Sequence, residues 1–182
     1  MTRDIVDLTA VGREKELIRS LLKDGAYPHP VDNLRVLDTH ISWVLLTGSV
    51  AYKIKKPIKL EFLDFSTLEQ RKRYCEDELR LNRRWAEDLY LGVVPITGSF
   101  DNPAVGGDGE AIEYAVKMRQ FPQSAQLDAQ LDAGLLTEAD MIALAERIAG
   151  QHAAIPVCTG LGEKHADVLV RHPMLENIKY LQ

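Results

Sequence analysis

Apolar positions along the chain fall into two periods. From Val11 to Leu22 they recur at helical spacing, with Ile18, Leu21 and Leu22 on one side. Lys23-Asp24-Gly25 predicts the end of that helix. Tyr27-Pro28-His29-Pro30 cannot extend it, because each proline lacks an amide hydrogen and restrains the residue before it. The pattern then shortens. Leu34–Leu37, Trp43–Leu46 and Val50–Lys55 predict three strands, with Thr39-His40-Ile41-Ser42 and Thr47-Gly48-Ser49 as the turns between them. Ser66-Thr67-Leu68-Glu69 fits a capping box with Ser66 as N-cap, and opens a helix over 67–88. Two more strands are predicted at Tyr90–Ile96 and Ala111–Met118, with a turn at Gly106-Gly107-Asp108-Gly109 between them. Thr137-Glu138-Ala139-Asp140 opens a helix running to Ala153, with Met141, Leu144, Ala145 and Ile148 as its inner stripe. The signal from Thr159 to Gln182 is weaker. Helix, three strands, helix, two strands and then helices is the order of an α+β fold.

Composition narrows the classes. The chain has 182 residues, 46% of them hydrophobic and 27% charged, enough for one medium domain with a real core. Its net charge of −5 supplies no global positive field, so no nucleic-acid partner is expected. Lys72, Arg73, Arg80, Arg83 and Arg84 form a basic stretch on the helix over 67–88, read as a solvated face. No run approaches the roughly 18 apolar residues that cross a bilayer, and the first residues hold two acids and no apolar core. A cytoplasmic protein with no membrane partner is therefore expected. Cys75 and Cys158 are too few for a disulfide framework or a four-ligand zinc site, and no His-Glu-x-x-His spacing occurs. Cys75 falls on an apolar helix face and reads as a structural thiol.

Two charged residues stand out. On the strand Val50–Lys55, Ala51, Lys53 and Lys55 share the face opposite Val50, Tyr52 and Ile54. The lysines, followed by Lys56 and Lys59, suit either an exposed edge strand or a site that needs cations. On the helix, at about 100° per residue, Trp85 and Leu89 fall about 20° to either side of Glu78, with Tyr74, Cys75 and Leu81 within about 60°. Glu78 thus lies within the apolar stripe. A carboxylate there needs a cation, and Lys53 on the preceding strand is one candidate. The alternatives are that the stripe is narrower and Glu78 reaches solvent, or that it pairs with Arg71 two turns earlier.

Three strands, Ala51-Tyr52-Lys53, a helix with an inward glutamate, two strands and then helices together resemble the N-lobe of the protein-kinase-like fold. The closer resemblance is to the aminoglycoside phosphotransferase-like branch of small-molecule kinases. Within it, the chain is similar to the N-terminal portion of an uncharacterised bacterial group, some of whose members carry a fused P-loop ATPase-like domain. The runs that carry this are His40-Ile41-Ser42-Trp43, Ala51 to Pro57, Leu63-Asp64-Phe65-Ser66, Glu78 to Arg84 and Tyr90 to Ile96. They cover most of 28–122. The resemblance implies an N-terminal helical extension over 1–30, an N-lobe and hinge over 31–121, and the start of an incomplete helical C-lobe over 122–182.

It also implies roles. Lys53 would hold the α- and β-phosphates of ATP and Glu78 would orient it. Ala51 would lie against the adenine. Ser42 and backbone amides of the turn before it would cover the phosphates, although no Gly-x-Gly-x-x-Gly is present. Met118, Arg119, Gln120 and Phe121 would form the hinge facing the adenine edge. The family transfers the γ-phosphoryl of ATP to a small-molecule hydroxyl with Mg²⁺, using an aspartate base and metal ligands in a His-Gly-Asp-type loop and a later Asp. No such loop follows His152, and no Gly-x-x-x-x-Gly-Lys-[Ser/Thr] occurs. The expectation is a nucleotide-binding part with Mg²⁺ ligands beyond this chain, inactive alone, or else a nucleotide-sensing or docking domain.

Overall fold

The alternation of two neighbouring strands decides where the helices lie. In the computed structural model, which describes residues 12–157 and 167–180, these strands are β2 (Ser42–Leu46) and β3 (Val50–Lys55). Trp43 and Leu45 of β2, with Tyr52 and Ile54 of β3, point to one side and are buried. There they meet Leu17, Ile18 and Leu21 of α1 (Arg13–Leu21) in the main hydrophobic core. The opposite side carries Ser42, Val44 and Leu46 across from Lys55, Lys53 and Ala51. It faces α2 (Leu68–Ala86).

The main sheet is antiparallel and has six strands. Its order is β1 (Arg35–Asp38), β2, β3, β8 (Ala111–Arg119), β6 (Tyr90–Gly98) and β7 (Pro103–Val105). β3 lies between β2 and β8, so its lysines do not guard an edge. A short hairpin, β4 (Lys59–Leu60) with β5 (Leu63–Asp64), follows β3; the sequence pattern did not show it, since two-residue strands have no measurable period.

The structure forms two units, Met1–Ala133 and Gly134–Gln182. The first also holds α3 (Leu127–Asp132). The second holds α4 (Glu138–Ala154), capped by Thr137 with Asp140, and α5 (His172–Tyr180), which a π-helical turn precedes at Asp167–Arg171. Met141, Leu144 and Ile148, the expected inner stripe of α4, are exposed. Periodicity shows which face can be buried, not that something covers it. Cys158 and His165 lie outside the described residues, as does Val11.

The start of α2 differs by one residue from the expected one. Thr67, not Ser66, is the N-cap, and its hydroxyl accepts from the Gln70 amide at 3.2 Å. Gln70 replaces Glu69 as the reciprocal partner. Ser66 is drawn away by Asp64, whose Oδ1 accepts from both its hydroxyl at 2.6 Å and its amide at 3.0 Å. A local side-chain bond of this kind competes with capping.

The β2–β3 turn falls on Thr47-Gly48-Ser49 as expected and needs a glycine at its centre. Gly48 sits at φ 103, and a Cβ there would lie 3.1 Å from Asp32 Cβ. We expect Gly48→Ala to lower stability by about 1–3 kcal/mol, since an L residue is strained in that conformation. Urea unfolding followed by circular dichroism checks this, and a midpoint unchanged from the parent would refute it.

Candidate functional site

The site is built where β3 passes under α2. Lys53 Nζ donates to Glu78 Oε1 at 2.8 Å, and Lys55 Nζ donates to Glu78 Oε2 at 2.7 Å. Of the arrangements open to Glu78, the one with Lys53 is present, joined by a second lysine. Arg71 is engaged elsewhere. Its Nε donates to both oxygens of Glu113 on β8, at 3.0 and 2.8 Å, and its Nη1 to the carbonyls of Phe65 and Ser66. The inward side of α2 therefore runs through Arg71, Cys75 and Glu78, while Tyr74 and Leu81 are exposed. The buried stripe is narrower than drawn from the helical angles.

Burial alone would oppose ionisation of Glu78. The neighbouring ammonium groups of Lys53 and Lys55 outweigh it and hold the carboxyl below the ordinary Glu value. The folded state thus binds fewer protons at Glu78 than the unfolded chain does. The stability this confers is present above the unfolded value and is lost as pH falls through the lowered folded value. We expect the stability difference between the parent and Glu78→Gln to shrink over that acid range. Thermal melts at a series of pH values check it, and a constant difference would contradict it. Cys75 behaves as a buried structural thiol, its pKa pushed up to about 12 by burial.

Beside the ion pair opens a cleft of about 410 Å³. Leu37, Val44, Leu46, Ala51 and Met118 make its apolar walls. Lys53 supplies a cation, and Ser42 borders the cleft with its side chain fully buried. Gln120 and Phe121 lie where the chain leaves β8. The sheet register explains the assembly, because Leu46, Ala51 and Met118 are successive cross-strand partners on β2, β3 and β8. All six residues singled out from the sequence, Ser42, Ala51, Lys53, Glu78, Met118 and Gln120, are therefore at the cleft or at the ion pair beside it.

The polar groups at the cleft are unequally committed. Gln120 donates its amide to the Ser49 carbonyl at 3.0 Å, and its Oε1 accepts from the Gly48 amide at 3.0 Å, which ties the β2–β3 turn to the segment after β8. The Ser42 amide already donates to Thr39 Oγ1 at 3.1 Å, so it is not available to a ligand. The Ser42 hydroxyl is different. Among the described residues it is the buried side-chain oxygen or nitrogen that has no hydrogen-bond partner, and such orphans call for an explanation. Lys55 was missed as a site member, although it was legible, since it follows Lys53 by two on the same strand face. The Thr39 hydroxyl closes the 39–42 turn, the expected phosphate-covering segment, through the Ser42 carbonyl and amide, a contact that gave no sequence signal.

Among the described residues, no three His, Cys, Asp or Glu side chains gather to hold a metal ion. No helix among them is long and apolar enough to cross a membrane. Several cations of the basic stretch on α2 are tied locally, Arg80 to Asp77 at 2.8 Å and Arg83 to the carbonyls of Tyr90 and Leu91.

Fold and site together define an α+β protein with an antiparallel sheet and a lysine–glutamate–lysine cluster beside its cleft. The chain is 38% identical over 127 residues, 68% of its length, to uncharacterized proteins of Mycobacterium bovis and of two strains of Mycobacterium tuberculosis. The match takes in 24% of those proteins, so the chain spans about a quarter of the length of the curated relatives it matches. No family model matches the chain, and no solved structure matches it.

Proposed function

We propose that the cleft binds ATP, and that this chain is the nucleotide-binding part of a kinase-like phosphotransferase whose full protein moves the γ-phosphoryl group to a hydroxyl of a small molecule. In this reading the sheet and α2 are a kinase-like N-lobe, and Met118 to Phe121 form the hinge. The observation that carries the reading is the Lys53–Glu78 contact of 2.8 Å beside a cleft with apolar walls. A planar base suits walls made by Leu46, Ala51 and Met118, and a polyphosphate suits a cation held in place at the polar side.

Each residue has a task that follows from its chemistry. Lys53 offsets phosphate charge, and Glu78 restricts the positions its ammonium can take. Phosphoryl transfer is mostly positioning and charge stabilisation, so these two groups serve binding and orientation. Mg²⁺ does not fit the described residues, because Glu78 is shared by two ammonium groups and, among the described residues, no three His, Cys, Asp or Glu side chains gather. The metal ligands and the base that takes the acceptor's proton belong to the remainder of the full protein, as does any P-loop domain.

Titration calorimetry with ATP tests the reading directly. Saturable one-site binding that ADP competes for is expected. No saturable binding at millimolar ATP would reject it.

A further inference from the structure

Lys56, the residue after β3, works from behind the cleft. Its Nζ lies 5.4 Å from the centroid of the Trp43 ring, which is buried on the core side of the sheet. Unlike Lys53, Lys56 does not line the cleft. Its Nζ donates to the Thr39 carbonyl at 2.5 Å and pairs with the Asp38 carboxylate. Its backbone is committed too. The amide donates to the Ile41 carbonyl at 2.9 Å, and the carbonyl accepts from the Ile58 amide at 2.8 Å. Pro57 restrains it further, since a residue before proline is held near extended backbone. One fixed residue thus grips Asp38, Thr39 and Ile41.

The gripped segment borders the polar end of the cleft. Thr39 and Ile41 line it together with Lys53. The register sets Ser42 across from Lys55, and Leu46 across from Ala51, which in turn faces Met118. The 39–42 turn and Lys53 are therefore toward one end and Met118 toward the other. The turn contains no glycine and no residue with positive φ. Its shape comes from bonds. The Thr39 amide donates to the Ser42 carbonyl at 2.9 Å, and the Ser42 amide to Thr39 Oγ1 at 3.1 Å. The Thr39 carbonyl, left over from this exchange, is the one that Lys56 takes. A segment ordered before a ligand arrives does not have to be ordered by it, and that saving appears as affinity.

We infer that Lys56 is a positioning residue for the phosphate end of the cleft: it holds the 39–42 turn from the far side of the sheet, ready to meet a phosphate-bearing ligand. The inference rests on the nucleotide reading and deepens it. Lys56 acts through the turn and does not touch the ligand. The Lys53–Glu78 pair stays formed throughout.

Titration calorimetry of adenosine, ADP and ATP tests this on the parent chain, on Lys56→Met and on Lys56→Met with Asp38→Asn, with circular dichroism to verify folding. Lys56→Met should weaken ATP by about ten-fold and leave adenosine within about two-fold, because adenosine does not reach the turn. The double variant should stay weak, since it removes the unpaired Asp38 charge without restoring the grip on the turn. Parent-like ATP affinity in the double variant would reduce Lys56 to a mask for Asp38 and overturn the inference. A loss shared equally by adenosine, or no loss at all, would also overturn it while leaving the nucleotide reading in place. Failure of the parent chain to bind ATP would overturn both. A second measurement needs no variant. Crystal structures with and without a non-hydrolysable ATP analogue should show the turn in one position, with Lys56 on Asp38 and Thr39 in both. A turn that moves by more than about 2 Å onto the analogue, or Lys56 Nζ on a phosphate oxygen, would refute the inference.

Discussion

Lys53→Met is expected to leave the chain folded and to weaken ATP binding by about 3 kcal/mol, roughly a hundred-fold. The two halves of this expectation have separate causes. The fold survives because Glu78 keeps a cation: Lys55 lies 2.7 Å from its other oxygen, so no carboxylate is stranded. Methionine also keeps much of the lysine stem's length against the cleft wall. Binding suffers because the ammonium that faces the cleft is gone. Lys72→Met serves as the control. Lys72 lies over the Tyr114 ring, outside the cleft, and its removal should leave ATP affinity within about two-fold of the parent. Calorimetry on the three chains at one salt concentration measures the effect. An affinity of Lys53→Met within about three-fold of the parent would mean that phosphates do not lie on Lys53.

Arg71→Met carries the largest expected loss of stability, about 3–5 kcal/mol, as for other buried ion pairs broken from one side. Arg71 and Glu113 are nearly closed to solvent, with side chains 9% and 3% exposed. The guanidinium meets both Glu113 oxygens and the carbonyls of Phe65 and Ser66, so its loss strands a carboxylate and two backbone acceptors. Such a loss is a large share of what holds a domain together. Burial already lifts the Glu113 carboxyl above its ordinary value even with the guanidinium beside it. Its folded pKa exceeds its unfolded one, so the stability linked to its proton is present below the unfolded value and is lost as pH rises through the folded value. Arg71→Met should therefore be less damaging at mildly acid pH than at neutral pH. The double substitution Arg71→Met with Glu113→Leu should recover most of the loss, since replacing both partners strands nothing. Urea melts of the three chains check this, and a single variant within about 1 kcal/mol of the parent would contradict it. The pair also bears on the cleft. It pins the first turns of α2 to β8, and Glu78 extends from the same helix two turns further on.

Much of the first unit was legible because its segments carry a period. β3 was placed at its observed bounds, and the sorting of Tyr52 and Ile54 from Ala51, Lys53 and Lys55 followed from alternation. α2 was placed to within two residues at its end, and its inward glutamate followed from helical angles. The one-residue error at its cap had a local cause, the Asp64 carboxylate that occupies Ser66. The hairpin at 59–64 and strand β7 are too short to show a period. The stripe of α4 was read correctly as apolar, yet it is exposed, because amphipathicity is a property of one helix and burial is a property of two elements.

By itself the sequence determined which residues face the same way along each strand and helix. That covers the apolar walls of the cleft, the lysines of β3 and the carboxylate of α2, since side-chain direction follows from backbone geometry at fixed intervals. Only the tertiary structure decided who meets whom. Glu78 and Glu113 are both enclosed, and Lys53, Lys55 and Arg71 are all on the elements around them. The sequence offered Glu78 two partners, Lys53 or Arg71, and gave no sign of Glu113. The observed one depends on how far along α2 lies over β3 and β8, a distance fixed by packing of side chains remote in the chain and by the capping of the helix at Thr67. Ion pairing reaches only a few ångströms, so a shift of one helical turn would exchange every partner.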